Sequence, residues 1–533
     1  MSREQLTKSV ALTAALGLVP ALALAGCTQP SSSSGGKGSG GGGQRTVTVA
    51  LAEQPDALDP TVASTYVGRI VFANMCEKLY DIGSGTNLVP QLASAMPKIS
   101  SDGKTYTISL RKGVKFNDGS TFDAAAVKQT LEHYMTDPKS ARAPELSTVK
   151  SVQVVDRSTV RLTLKQAYAP LTAILADRSG MILSPKALSK LGDNFGDHPV
   201  CVGPFSFKDR PSADKIDLTK SKYYYDKAKV KLSGITFQAV TQPNVRAANL
   251  RSGDVQVVDR VDPADISTLK KQSNVKLWPV TSLGYQGITV NVANSNGAGS
   301  PKNHTVSTPL AQHPELRQAL SLALDRSTIN KVVFEGQYVP ACGPISPSST
   351  FAPQASCPAD LAKAKQLVAS SGVKTPIPVD LVVQAANSEA AKLGTVIQSM
   401  AKQAGFAVHV KPTEFTTALT QAQKGQFDTF QVGWSGRLDP DQNIGPFYDP
   451  SSTLNYSGAN DPTIMRLLGQ ERSTADESAR KADFQKIVDE ANKDNNIIYL
   501  YFPKVVLGYA SSLHGIQYGA DGLIHLKTAS FGG

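Results

Sequence analysis

The spacing of apolar residues changes repeatedly along the chain between the period of a β-strand and that of an α-helix. "RTVTVALA" (45–52) alternates apolar and polar residues, as a half-buried strand does. "DGKTYTISLRKGVKFNDGSTF" (102–122) predicts a turn, a strand, a basic loop and a second turn, and "SVQVVDRSTVRLTL" (151–164) predicts a hairpin. The apolar run "NIIYLYF" (496–502) predicts a further strand.

Helical periods lie between these strands. Asp123 is placed to cap a helix in which Val127, Leu131 and Tyr134 recur on one apolar face. Two further stretches have a helical pattern, a helix pair at 314–336 and a single helix at 476–494. No repeat of constant period occurs, and strands and helices mixed in this way predict α/β lobes.

The first 26 residues have the layout of an export signal. Arg3 and Lys8 precede an apolar run of about 18 residues that Pro20 interrupts. A basic start with small residues before the cut is typical of a signal peptide and argues against a spanning helix. The run ends in "LAGC" (24–27), which resembles the bacterial lipobox, in which the cysteine, here Cys27, is lipidated. A chance "LAGC" in an ordinary secreted protein is the alternative.

Residues 27–45 are rich in Gly and Ser and predict a flexible tether. The rest of the chain, 46–533, is too long for one hydrophobic core, so at least two lobes are expected. It contains no apolar run long enough to cross a bilayer. The net charge of +11 is scattered without a dense basic block, which argues against nucleic-acid binding. A diacylated Cys27 would hold this body at the outer face of the cytoplasmic membrane.

Four further cysteines, an even number in an exported chain, predict two disulfides. Cys342 and Cys357 would close the short Pro/Ser-rich loop "ACGPISPSSTFAPQASC", a bridge that contributes about 3 kcal/mol in the chain-entropy treatment. Cys76 and Cys201 are left as the second pair by elimination alone. No CxxC motif occurs, so zinc and redox functions are not indicated.

The stretch "FQVGWSGRLDPDQN" (430–443) collects groups that hold ligands, without an obvious nucleophile or base beside them. The β-prone run ends at Trp434, whose ring offers a flat apolar wall and one donor. Arg437 offers a fork that suits a carboxylate or a phosphate. Gly436 allows a close approach to the backbone. The turn around Pro440 could hold Asp439 and Asp441 toward a cationic group or toward Arg437 itself.

Five blocks of sequence occur in a recognisable order: 75–135 (from "MCEKLYD" to "EHYM"), 202–207 ("VGPFSF"), 250–259 ("LRSGDVQVVD"), 313–347 (from "HPELRQAL" to "ACGPISP") and 433–443 ("GWSGRLDPDQN"). Together they resemble the extracytoplasmic solute-binding proteins of ABC importers, the peptide/nickel/opine-type group known as family 5. The resemblance extends over essentially all of 46–533.

The resemblance implies an α/β, two-lobe periplasmic-binding-protein (Venus flytrap) fold with an extra subdomain in lobe I. Lobe I would comprise 46–87, 204–296 and 503–533, the inserted subdomain 88–203, and lobe II 297–502. The strands "GITVNV" (287–292) and "YLYFPKV" (499–505) would cross between the lobes and act as hinges.

The resemblance also places the loop after Trp434 on the wall of a cleft that closes over a small solute or peptide. The expected ligand-binding residues are Tyr66, Tyr285, Trp434, Ser435, Gly436, Arg437, Asp439 and Asp441. Several alternatives remain open. Trp434 and the two tyrosines could belong to the core, and Arg437 could form an internal salt bridge. Asp439 and Asp441 could instead shape the turn and orient their neighbours, while Asn291 is expected to satisfy hinge backbone.

One position departs from the family pattern. In dipeptide- and oligopeptide-binding relatives an acidic residue lies three positions after this tryptophan and holds the peptide α-amine. Here that position is Arg437, and a cation repels an ammonium at close range. The departure favours a cargo with an anionic group, such as an acidic or modified peptide, an opine-like conjugate or a glutathione-type molecule.

The remaining expectations follow from the motifs that are lacking. No GxSxG, HExxH or GxxxxGK[ST] occurs, so we expect neither an enzyme nor an ATPase, and the importer's permease and ATPase would be separate chains. An envelope hydrolase and a sensor that feeds a signalling partner are the alternatives. His409, His514 and His525 show no ligand spacing, so neither a metal nor a cofactor is expected, and the protein should act as a monomer.

Overall fold

Two β-sheets organise most of the chain. The computed structural model describes residues 45–83, 85–385 and 387–532, so the predicted signal, Cys27 and the tether up to residue 44 lie outside the described residues. The larger sheet has seven strands, in the spatial order Val275–Thr281, Lys504–Ala510, Val257–Val258, Thr46–Leu51, Gly234–Ala239, Lys215–Lys220 and Phe205–Ser212. We call the region around this sheet the first lobe.

The second sheet has six strands and defines the second lobe. Its spatial order is Val339–Pro340, Ile497–Phe502, Tyr285–Val290, Thr429–Trp434, Ile377–Gln384 and Phe406–Thr413. Both sheets mix parallel and antiparallel neighbours: Thr46–Leu51 runs parallel to Gly234–Ala239, and Ile377–Gln384 runs parallel to Phe406–Thr413. Mixed sheets of this kind are common in α/β folds.

A four-stranded antiparallel sheet lies between the strands of the first lobe along the chain. It consists of Lys98–Ile99, Thr105–Ser109, Thr159–Leu164 and Val149–Asp156. Its apolar residues, Ile108 and Leu162 among them, share one continuous core with Val47 and Phe237 of the seven-stranded sheet. We call this region the insert, and the shared core attaches it to the first lobe.

Helices cover the sheets, and the predicted one in the insert begins as expected. The carboxylate of Asp123 accepts hydrogen bonds from the backbone N–H groups of Ala125 and Ala126 at 3.1 and 3.2 Å. The described α-helices are Tyr66–Met75, Ala124–Thr136, Leu171–Ile174, Pro185–Leu191, Pro243–Ser252, Pro263–Leu269, Pro309–Gln312, Pro314–Ala323, Arg326–Phe334, Leu361–Ser370, Ser388–Gln403, Phe415–Gln423, Asp441–Tyr448, Pro462–Arg472 and Glu477–Asp494. Within the described ranges, no helix is both long and apolar enough to span a bilayer.

The chain passes between the two sheets through two neighbouring segments. The N–H of Ser282 donates to the carbonyl of Pro503 at 2.9 Å, so both crossings lie side by side. The second crossing falls inside the predicted segment 499–505. The first falls earlier than predicted, because Tyr285–Val290 pairs with Thr429–Trp434 and Ile497–Phe502 in the second lobe. The sequence prediction had assigned this strand to lobe I.

Both predicted disulfides are present. Cys76, directly after the helix Tyr66–Met75, bonds to Cys201 at the end of the insert, with 4.9 Å between Cα atoms. Cys342 bonds to Cys357 and closes the loop in the second lobe. The first bridge ties the insert to the first lobe, and the second holds a segment that has little regular structure.

Candidate functional site

The loop that follows the strand Thr429–Trp434 is anchored by its tryptophan. The indole of Trp434 is half-buried and meets the ring of Phe447 edge to face, with 5.2 Å between centroids. Its Nε1 donates to Oδ1 of Asn443 at 3.1 Å. Trp434 is therefore partly a core residue, as the alternative prediction held, and its remaining surface supports the loop above it.

Asn443 holds this loop in shape. Its Oδ1 also accepts from the backbone N–H of Arg437 at 2.6 Å, and its Nδ2 donates to the carbonyl of Arg437 at 2.9 Å. Asn443 is buried, so these bonds replace water for the groups concerned. Sequence reasoning missed this residue. The available signal was an asparagine two residues after the "DPD" turn.

Gly436 lets the loop lie directly on the crossing segment. Its φ is +83°, which favours glycine, and an added Cβ would lie 2.3 Å from the backbone nitrogen of Gly284. A Cβ on Gly284 would in turn lie 2.0 Å from the carbonyl oxygen of Trp434. Two glycines thus bring the loop into direct backbone contact with the place where the chain changes lobe.

Arg437 lies over the indole without an acidic partner. The guanidinium carbon is 4.5 Å from the centroid of the Trp434 ring. Nη1 donates to the carbonyl of Gly436 at 2.9 Å and to Oγ of Ser435 at 3.3 Å. Among the described residues, Arg437 forms no salt bridge within 4.0 Å. Burial, and then the charge of Arg69, lowers the pKa of Arg437.

Arg437 faces a narrow gap between the lobes. The gap measures ≈10 Å³, and its walls include Arg69 and Asp521 from the first lobe and Asp177 from the insert. Arg69 binds Asp177 through two contacts of 3.1 Å. Burial would raise the pKa of Asp177, but Arg69, Arg178 and Arg437 hold it well below its usual range. Several guanidinium groups thus act on the carboxylate of Asp177, while Asp521 adds a second carboxylate to the wall of the gap.

Asp439 and Asp441 bind arginines of the second lobe instead of lining the gap. Asp439 accepts from Arg480 at 2.8 and 2.9 Å, and Asp441 accepts from Nε of Arg472 at 2.6 Å. Both aspartates are buried. This agrees with the alternative prediction, in which they orient their neighbours. The prediction that they also bind ligand gains no support from these contacts, because their oxygens are occupied by internal donors.

The two predicted tyrosines have different surroundings. Tyr285 is only 2% exposed, and its ring packs edge to face against Tyr499 at 4.9 Å, so it is a core residue. Tyr66 is half-buried, donates its hydroxyl hydrogen to the carbonyl of Gly522, and lies 5.1 Å from the guanidinium of Arg260. Neither lines the gap at Arg437.

Two further predictions concern groups outside the loop. Asn291 donates to three backbone carbonyls at 3.1–3.2 Å, those of Asn294, Gly425 and Phe427, so it satisfies backbone as predicted, but in the second lobe and not at the crossing between the lobes. In the described part of the chain, no group of three or more His, Cys, Asp or Glu residues is arranged to hold a metal ion.

Comparison with known proteins identifies the protein family of this chain. The model of the bacterial extracellular solute-binding proteins, family 5 (middle region), matches residues 87–455. The chain therefore belongs to this family, and it is a solute receptor with the two-lobe fold that the family's solved structures share. Members of the family work outside the cytoplasm and deliver solutes to ABC importers.

Three individual proteins are similar to this chain over most of its length. The glutathione-binding protein GsiB of Salmonella paratyphi A is 28% identical over 481 residues, which cover 88% of this chain and 91% of that protein. The PBP AgaA of A. tumefaciens R10, solved in complex with agropinic acid, is 26% identical, with a TM-score of 0.75 over 92% of this chain and 99% of its own. The ABC transporter substrate-binding protein CtaP of Listeria monocytogenes, 22% identical, has a TM-score of 0.81 over 92% and 99%.

Proposed function

We propose that this chain is the cargo receptor of an ABC importer and that its cargo is a small anionic, peptide-like solute, released unaltered. In this proposal the protein acts as a monomer, held at the outer face of the membrane through a lipid on Cys27. The observation that carries the cargo class is Arg437, a guanidinium stacked on Trp434 without a carboxylate partner within 4.0 Å in the described chain. A cargo carboxylate would provide that partner.

The charged groups around Arg437 also favour an anionic cargo. Burial lowers the pKa of Arg178 to about 9, although Asp177 opposes the shift. Arg142 and Arg69 lower the pKa of Arg178 further, as like charges do. An anion bound beside Arg437 would offset the repulsion between Arg437 and Arg69, which lowers the pKa of Arg437. The relatives support this too, since one is named for glutathione and another was solved with agropinic acid.

In the observed arrangement of the lobes, the gap beside Arg437 is too small for a cargo molecule to enter. The gap of ≈10 Å³ beside Arg437 holds about one water molecule. The hydrogen bonds of its guanidinium go to Ser435 and Gly436 in its own loop, so they can be exchanged for cargo without loss of an ion pair. The lobes would separate about the neighbouring crossings at 282–284 and at Pro503, as in hinge closure.

Titration calorimetry tests the proposal with glutathione and with a set of dipeptides that contain Glu. Arg437→Gln should weaken binding of these anions by about 10- to 100-fold, because a hydrogen bond to a charged group contributes about 1.5–3 kcal/mol. Arg466→Gln is the matched control: Arg466 is exposed on the helix Pro462–Arg472, and within the described ranges its side chain bonds only Gln470, at 3.0 Å. Equal affinities of the two variants, or a wild-type preference for cationic peptides, would overturn the cargo class.

A further inference from the structure

A second and larger cavity adjoins the gap at Arg437. It measures ≈450 Å³, within the range of small-molecule sites, and the two spaces share Ala173 and Leu438 as walls. One side belongs to the insert and the other to the second lobe. We call this space the outer chamber.

The walls of the outer chamber are largely apolar. The insert contributes Met96 and Ile99, which are 44% and 36% exposed, together with the half-buried Leu88. The second lobe contributes the half-buried rings and chains of Phe351 and Leu438. Large apolar side chains that remain exposed and gather around a cavity are typical of binding surfaces.

The charges of the outer chamber do not suit an anion. Its charged lining residues in the described chain are Asp439, Glu477 and Arg480. Arg480 is already neutralised, because it binds Asp439 at 2.8 Å and Glu471 at 2.7 Å. Glu477 is exposed and carries no salt bridge within 4.0 Å in the described part of the chain. A cargo anion would therefore bind at Arg437 and leave its apolar part for the outer chamber.

The outer chamber closes when the lobes close. Thr350, in the loop that the Cys342–Cys357 bridge encloses, donates its backbone N–H to Oγ1 of Thr86 at 3.1 Å. Next to it, the ring of Phe351 lies 4.9 Å from the guanidinium of Arg480, which fixes its position. The bridged loop thus reaches across to the first lobe and completes the apolar wall.

We propose that the outer chamber binds the apolar substituent of a cargo whose anionic group is held at Arg437. The cargo class is then an amphipathic anion, such as an S-alkylated glutathione or a Glu dipeptide with a large apolar second residue. This inference rests on the proposed function and goes beyond it, since Arg437 alone would accept small anions without any apolar group.

The test compares ligands that differ only in apolar length. Calorimetry with glutathione and its S-methyl, S-butyl and S-hexyl derivatives should give a dissociation constant that falls by up to about fourfold per added methylene. The dipeptides Glu-Gly and Glu-Phe form a second series, in which Glu-Phe should bind more tightly. The measured quantity is the ratio of the dissociation constants at the two ends of each series.

Two variants locate the effect in the outer chamber. The double variant Met96→Ser, Ile99→Ser should bring that ratio close to one. The control is Val154→Ser, Val155→Ser, which also replaces two exposed apolar residues of the insert (44% and 47% exposed), but these do not line the outer chamber, so the ratio should stay at the wild-type value.

Three outcomes overturn the inference. Equal wild-type affinity along each series would refute the binding role of the outer chamber, and so would a ratio that the Met96→Ser, Ile99→Ser variant preserves. Neither result would contradict the proposed function. If the wild-type protein binds no anionic probe of either series, the proposed function and this inference fail together.

Discussion

Arg437 combines two energetic terms of opposite sign. Its partial burial disfavours the charged form, as the lowered pKa indicates, and the face of Trp434 offsets part of this cost through a cation–π contact of about 0.5–2 kcal/mol. The part of the burial cost that the indole does not offset can be offset by an anionic ligand. A guanidinium that was fully paired inside the protein would have little to gain from cargo, so its lack of an acidic partner is the useful property.

Single residues also show which roles can be predicted from sequence and which depend on the folded structure. The indole and the guanidinium were proposed as ligand-holding groups from chemistry that is intrinsic to the side chains, and the structure places the two groups 4.5 Å apart. Asn443 could not, because it is important only through the folded path of the loop. Tyr285 illustrates the same limit from the other side: its two predicted roles were equally compatible with the sequence, and packing against Tyr499 decided between them.

Replacement of Asn443 tests the anchoring of the loop. Asn443→Ala removes the acceptor shared by Trp434 Nε1 and the Arg437 N–H, and the donor to the Arg437 carbonyl. We expect a loss of about 1–3 kcal/mol in the free energy of unfolding, measured by urea denaturation, because buried polar groups lose their partners. Asn274→Ala is the control, since Asn274 is exposed and its side chain makes one hydrogen bond to the described residues, at the carbonyl of Arg251, so its effect should stay within about 0.5 kcal/mol. A similar loss in both variants would refute the anchoring role.

At the scale of elements, local signals were predictive and non-local pairing was not. The cap at Asp123 and the hairpin 151–164 depend on residues close in sequence, and both are observed, the hairpin as Val149–Asp156 with Thr159–Leu164. The strand Tyr285–Val290 was predicted as a strand but assigned to the wrong lobe. Its apolar side chains would fit either sheet, and only its distant partners determine its place.

Three helices of the second lobe are joined by buried charges. Asp441 begins one helix, Glu471 and Arg472 end the next, and Arg480 lies in the third. Glu471 is fully buried and lies beside two other carboxylates. Burial, and then the charges of Asp441 and Asp439, raises the pKa of Glu471 above its ordinary value of 4.5. The network therefore holds one proton that the unfolded chain would release.

This raised pKa makes stability depend on pH. Above about pH 4.5 the unfolded chain loses the Glu471 proton while the native protein keeps it, so this group lowers the stability as pH rises. Glu471→Gln has no such proton, so its free energy of unfolding relative to wild type should increase between about pH 5 and 8. Urea denaturation across this range measures the difference. Glu132→Gln, on a partly exposed helix position of the insert, is the control, and a similar pH trend there would contradict the assignment.

At the scale of the whole molecule, two lobes could be expected from length and family resemblance, but the closed arrangement could not. The contacts that join the lobes pair residues far apart in sequence. Tyr168 of the insert donates to Oδ2 of Asp441 at 2.9 Å across 273 residues, and Thr350 reaches Thr86 across 264. Each bond exists only when the lobes meet, so each one stabilises the closed state against the open one.

Removal of the Tyr168 hydroxyl tests this coupling between closure and affinity. Tyr168→Phe loses a hydrogen bond to a charged group, which contributes about 1.5–3 kcal/mol, so the ratio of closed to open protein should fall by about tenfold or more. Small-angle scattering should report a larger radius of gyration, and calorimetry a proportionally weaker cargo affinity. Tyr134→Phe removes a fully buried hydroxyl that donates to the carbonyl of Met181 within the insert at 2.8 Å, so it should reduce stability without changing either closure or binding. If both variants weaken cargo binding equally, closure does not depend on the Tyr168–Asp441 contact, and Asp441 serves only to orient Arg472.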